Sequence, residues 1–99
     1  SFSEITQFPS VNRDIAIQIA NNVSAGSLIL DIKKNGSSLL SDVKIFDLYK
    51  SDDLKENSKS IAFSLTFVSK DRTLEDAEID KIVNKIIKSL KQKFDAVQR

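Results

Sequence analysis

From Arg13 onward the chain alternates with period two. Ile15, Ile17 and Ile19 fall on one side; Asp14, Ala16, Gln18 and Ala20 fall on the other. β-branched residues in that rhythm predict a half-buried strand, which Asn21-Asn22 ends. Ser24 then offers an N-cap, and Ala25, Leu28, Ile29 and Ile32 follow at helical spacing. Lys33 and Lys34 suit the negative end of a helix dipole, and Gly36 stands just past it, so the spacing predicts a helix over 25–34. A second strand is expected over 39–49. Val43, Ile45, Asp47 and Tyr49 share one side; Lys44, Phe46 and Leu48 share the other. Neither side is cleanly polar, which predicts a bulge or burial on both faces. The polar stretch 50–57 reads as a hairpin loop. The third strand, 59–69, gives the cleanest signal: Ile61, Phe63, Leu65 and Phe67 alternate with Ala62, Ser64, Thr66 and Val68.

A long helix follows, with Thr73 as its expected cap and Asp76 three residues on. Ile79, Ile82, Val83, Ile86, Ile87, Leu90 and Phe94 cover an arc of about 140° at 100° per residue, and Lys81, Lys85 and Lys88 lie opposite. Ala96-Val97-Gln98 reads as a short last strand. The first twelve residues, with Pro9 among them, read as a lead-in arm, leaving 13–99 as the domain. The order strand, helix, strand, strand, helix, strand is the α+β, ferredoxin-like βαββαβ arrangement: an antiparallel sheet with two helices on one face. Ile15, Ile17, Ile19, Ile61, Phe63, Leu65 and Phe67 should meet the helices. Ala16, Gln18, Ala62, Ser64 and Thr66 should floor the open face.

Composition narrows the chemistry. Ninety-nine residues fit one domain. The absence of Cys removes disulfides, thiolate metal sites and cysteine nucleophiles; the absence of His removes the commonest general base and zinc ligand. Two glycines, Gly26 and Gly36, cannot make a glycine-rich phosphate loop. No apolar run reaches the roughly 18–20 residues that span a bilayer. Met is absent even at position 1, which suggests a piece of a longer chain. Fifteen Lys and Arg against fourteen Asp and Glu leave a net charge of +1, so a basic surface has to come from local segregation.

Such segregation exists: residues 81–99 hold five Lys and one Arg against Asp95 alone. A solvated helix face and a phosphate-contacting ridge both account for it. Arg13 suits a pair with Asp14 or with loop groups, and equally a phosphate or base contact. Phe46 and Tyr49 suit core positions, and equally platforms for an unpaired base. Asp52-Asp53 reads as a solvated loop pair rather than a magnesium site. An RNA-recognition motif would carry its aromatics on the open side of the third strand. Here Phe63 and Phe67 are in phase with the core, which argues against it.

Four blocks resemble a known family. Phe8-Pro9-Ser10-Val11-Asn12-Arg13-Asp14 is similar to the FPxxxRD opening of the ferredoxin-fold anticodon-binding domain, which ends the beta chain of bacterial phenylalanyl-tRNA synthetase. Residues 43–49, Val-Lys-Ile-Phe-Asp-Leu-Tyr, resemble its V-x-LFDVY strand. Lys59-Ser60-Ile61-Ala62-Phe63-Ser64-Leu65 resembles its KS strand, and Arg72-Thr73-Leu74 its RTL block. The family tends to carry a glycine near Asp95-Ala96 and an apolar residue where this chain has Gln98. The resemblance implies a noncatalytic, cytoplasmic module that docks the anticodon stem-loop of tRNA-Phe. Its partners would be the rest of the beta chain and the alpha chain, where a reaction using ATP and magnesium takes place. No metal, cofactor or membrane contact is implied for this domain itself. Arg13, Asp14, Phe46, Asp47, Tyr49 and Ser64 are expected near the RNA, with Lys85, Lys88 and Arg99 as backbone contacts. The competing class is a noncatalytic ferredoxin-like module for protein pairing or small-ligand sensing. Acyl phosphate hydrolysis on this fold would want an arginine after the first strand, and residues 21–24 supply none.

Overall fold

The computed structural model describes residues 9–49 and 58–98. Strand β1 (Val11–Ala20) leads into helix α1 (Ala25–Asn35). Strands β2 (Leu40–Tyr49) and β3 (Ser58–Phe67), helix α2 (Asp76–Phe94) and the short strand β4 (Val97–Gln98) follow. The strands form one antiparallel sheet in the order β2-β3-β1-β4. β3 lies between β1 and β2, which is the split βαβ arrangement of the ferredoxin-like fold. The first strand starts at Val11, two residues before its expected start. The expected hairpin loop, with Asp52 and Asp53, lies outside the described residues, as do Phe8 and most of the expected arm.

β1 and β3 stay in register from Val11 opposite Phe67 to Ala20 opposite Ser58. Residues directly opposite share a face. Ile15 with Phe63 and Ile17 with Ile61 therefore line one side, and all four are buried. Leu28 and Ile32 of α1 and Ile79, Ile86 and Leu90 of α2 close over them, each at 0% exposure. Each such side chain contributes about 1.5–3 kcal/mol on burial. Phe63 and Phe67 belong to this core, as their phase requires.

The two helices are also tied by polar contacts. Asp31 of α1 is buried, and its carboxylate accepts from Ser89 Oγ at 2.8 Å and Lys93 Nζ at 2.9 Å. Asn35 Nδ2 donates to Ser89 Oγ at 3.1 Å and to the Asp31 carbonyl at 2.8 Å. Lys93 is therefore a structural partner rather than part of a free basic face.

Helix ends follow local chemistry. Ser24 Oγ accepts the Ser27 N–H at 3.1 Å and caps α1 as expected. Gly36 ends α1 with a right-handed backbone (φ −84°), and the left-handed residue is Ser37 (φ 62°). Gly36 is required by close approach instead: a Cβ there would overlap the Leu40 side chain, whose own Cβ would lie 2.8 Å away. The expected Thr73 cap of α2 is corrected. Leu74 is buried in the core and keeps the chain extended past Thr73, and the N-cap is Glu75. Glu78 reaches back to accept the Glu75 N–H at 3.0 Å. The same carboxylate takes Arg72 Nη1 at 2.5 Å and Nη2 at 2.7 Å. That fork, with the Glu75 N–H, holds the Glu78 carboxyl down to about pKa 2 and raises the Arg72 guanidinium.

Candidate nucleic-acid interface

The sheet face away from the helices is built by register. Across β2, β3 and β1, Lys44, Ser64 and Asp14 form one row. Asp47, Ala62 and Ala16 form the next, and Tyr49, Ser60 and Gln18 a third. Gln18 stands opposite Val97, so β4 extends the same face. At the other end Thr66 Oγ1 donates to Asn12 Oδ1 at 2.9 Å.

The second strand departs from simple alternation, and the departure shapes the site. Pairing shifts between Leu40 and Asp42 and again between Ile45 and Asp47. At the second bulge Phe46 is the extra residue between Ile45, opposite Phe63, and Asp47, opposite Ala62. The expected grouping of Asp47 and Tyr49 with Val43 and Ile45 is thereby corrected. Val43, Ile45 and Leu48 pair with core-facing residues of β3, whereas Asp47 and Tyr49 turn to the open face. Tyr49 is 56% exposed there, and Phe46 57%.

Around Tyr49 the face is concave. Ala16, Ala62, Ser60, Asp47 and Tyr49 line a shallow depression of about 210 Å³. Pockets for whole drug-sized ligands run from about 300 Å³ upward, so this one suits a ring-sized group rather than an entire cofactor. Two alanines on its floor let a flat ring come close. The tyrosine ring offers a stacking surface, the Asp47 carboxylate accepts N–H groups, and the Ser60 hydroxyl adds a polar edge.

The structure brings together part of the expected site. Asp14, Asp47, Tyr49 and Ser64 share the open face, with Phe46 at its β2 edge. Arg13 does not join them. It stands opposite Leu65 on the helix-covered face, where Nη2 meets Asp76 Oδ1 at 2.9 Å and Nε lies 3.8 Å from Asp80. Its placement beside the open face is corrected: one step along a strand reverses the face. Lys85 and Lys88 lie on the outer surface of α2, separated from the open face by the sheet. Arg99 lies outside the described residues. Ser60 was missed, though its place two residues before Ala62 put it on the same face. Among the described residues no group of three or more His, Cys, Asp or Glu could hold a metal ion. Nor is any helix among them long and apolar enough to cross a membrane.

A small-floored, ring-sized hollow thus lies on the uncovered antiparallel sheet of a ferredoxin-like fold. The family model described as ferredoxin-fold anticodon binding domain matches residues 6–99. The chain belongs to that family. It is 41% identical over 98 residues to the phenylalanine–tRNA ligase beta subunit of Geobacillus kaustophilus, covering 99% of this chain and 12% of the relative. The Bacillus subtilis beta subunit is 39% identical over 98 residues, with the same coverage of both chains. That of Streptococcus agalactiae is 41% identical over 95 residues, covering 96% of this chain and 12% of the relative. The chain thus spans about an eighth of the length of these relatives.

The structure shows what residues of the four sequence blocks do in this member of the anticodon binding domain family. The Arg of the first block pins β1 to the start of α2. The Lys of the KS block, Lys59, donates to the Asn21 carbonyl at 3.2 Å beyond the end of β1. The Arg and Leu of the RTL block fix the α2 N-terminus and fill the core. The second block supplies Asp47 and Tyr49 to the hollow, and the KS block supplies Ser60 and Ala62.

Proposed function

We propose that this chain is the anticodon-docking part of a phenylalanine–tRNA ligase beta subunit. It would seat the anticodon stem-loop of tRNA-Phe on its open sheet face. Aminoacylation itself, with ATP and magnesium, would take place on the alpha chain in the cytoplasm. The observation that carries this reading is the hollow between Tyr49 and the alanine floor, on the face left uncovered by a fold of the anticodon binding family. An unpaired base would lie over Ala16 and Ala62 and stack on the Tyr49 ring. Asp47 would accept a hydrogen bond from a base N–H. Ser60 would address the base edge within the hollow, and Ser64 and Asp14 the next nucleotide along. Phe46 would border the path at the β2 edge.

Stacking of one base on an aromatic ring is worth about 1–3 kcal/mol. Tyr49→Ala in the intact ligase is therefore expected to lower kcat/KM for tRNA charging about ten- to a hundredfold, mostly through KM for tRNA. Amino-acid activation without tRNA should be unchanged. Charging at the wild-type rate would overturn the reading. A second reading, pairing with another protein, is favoured by the β2 edge, where Ile45, Phe46 and Leu48 are all exposed. A stable dimer of the chain with no RNA affinity would establish it.

A further inference from the structure

Charge in this molecule is divided between its two layers. On the open face Asp14, Asp42 and Asp47 outnumber Lys44, which itself lies 3.7 Å from Asp42. The helix layer is the reverse. Lys33 and Lys34 on α1, and Lys81, Lys85, Lys88 and Lys91 on α2, are all exposed. The carboxylates within the two helices have specific partners of their own. Asp31 is held by Lys93, Asp76 and Asp80 lie against Arg13, and Glu78 is held by Arg72. Among the described residues none of the six lysines forms an ion pair with them. Lys93 and two arginines from outside the helices thus offset most of the acids that would otherwise balance the six lysines.

The spacing is also regular. Lys81, Lys85 and Lys88 fall within about 60° of one another at 100° per residue, and Lys91 stands on the next flank. At 1.5 Å rise per residue the row from Lys81 to Lys91 is about 15 Å long, roughly the span of four phosphates on one strand. RNA lying on the sheet face cannot reach it, because the sheet and the helices stand between.

We propose that the outer face of the helix layer is a second RNA-contacting surface. It would hold the phosphate backbone of a different stretch of RNA through Lys81, Lys85, Lys88 and Lys91, without reading bases. This surface is independent of the Tyr49 hollow, so the two can fail separately. The test uses a blunt-ended RNA duplex, which offers the hollow no unpaired base, and the whole 99-residue chain. Binding is followed by fluorescence anisotropy between about 50 and 200 mM salt. The chain is expected to bind the duplex with a steep salt dependence. Changing all four lysines to Gln should reduce the slope of log K against log salt by about 3.5 and weaken binding more than tenfold at the lowest salt. Tyr49→Ala should leave duplex binding unchanged. Far-UV circular dichroism, expected to match wild type, confirms that the lysine variant is folded. No duplex binding by the wild type, or equal binding by the quadruple variant, would overturn the proposal. So would binding to polyglutamate without binding to the duplex, which would assign the face to an acidic protein.

Discussion

Asp95 ends α2 in the left-handed conformation, with φ 58° and ψ 32°. Its N–H bonds to the Lys91 carbonyl at 3.1 Å, and that of Ala96 to the Leu90 carbonyl at 3.3 Å, so this turn closes the helix. A residue with a Cβ costs about 1 kcal/mol or more there relative to glycine. The carboxylate also sits at the negative end of the helix dipole. Asp95→Gly is expected to raise stability by about 0.5–1 kcal/mol, or about 4 °C in Tm, measured by thermal unfolding. A loss would mean that the Asp95 side chain supports the turn. At this scale the sequence was an uneven guide. Ser24 and the core isoleucines were legible because caps and period-two burial depend on neighbours in the chain. Gly36 ends α1 as the sequence predicts, but what requires glycine there is contact with Leu40, which no local rule reveals.

Among the elements, α2 shows most clearly how distant residues set a boundary. Thr73 satisfies the cap rule locally, yet burial of Leu74 moves the start of the helix to Asp76. Glu78 and Arg72 then lock that turn. Because the Glu78 carboxyl titrates at about pKa 2 when folded, against an ordinary 4.5, its contribution is full above pH 4.5. It is lost as pH falls from there toward 2. Glu78→Gln should therefore lower the urea midpoint at pH 7, and the gap to wild type should close by about pH 2. A gap independent of pH would show that the fork adds nothing through its charge. The strands were legible from alternation, and trouble in β2 was visible because neither side was polar. The position of the bulge at Phe46 was not, since it is set by pairing with β3. That one residue decides which face Asp47 and Tyr49 occupy.

For the molecule as a whole, the βαββαβ fold and the small-residue open face followed from the sequence, because both rest on repeated patterns. The site was legible only in part. Asp14, Asp47, Tyr49 and Ser64 come together, while Arg13 serves the packing of β1 on α2 and the lysines lie on the far layer. The family resemblance implies RNA contact for all of these; only the sheet shows which of them share a surface. The measurement that bears most directly on this division is an NMR titration of the isotope-labelled chain with the anticodon stem-loop of tRNA-Phe. It is best done near about 200 mM salt, where contacts to phosphate alone are weak. The largest shifts are expected at Ala16, Asp47, Tyr49, Ser60 and Ala62. Shifts confined to α1 and α2, or none at all, would contradict the assignment of the open sheet face to RNA.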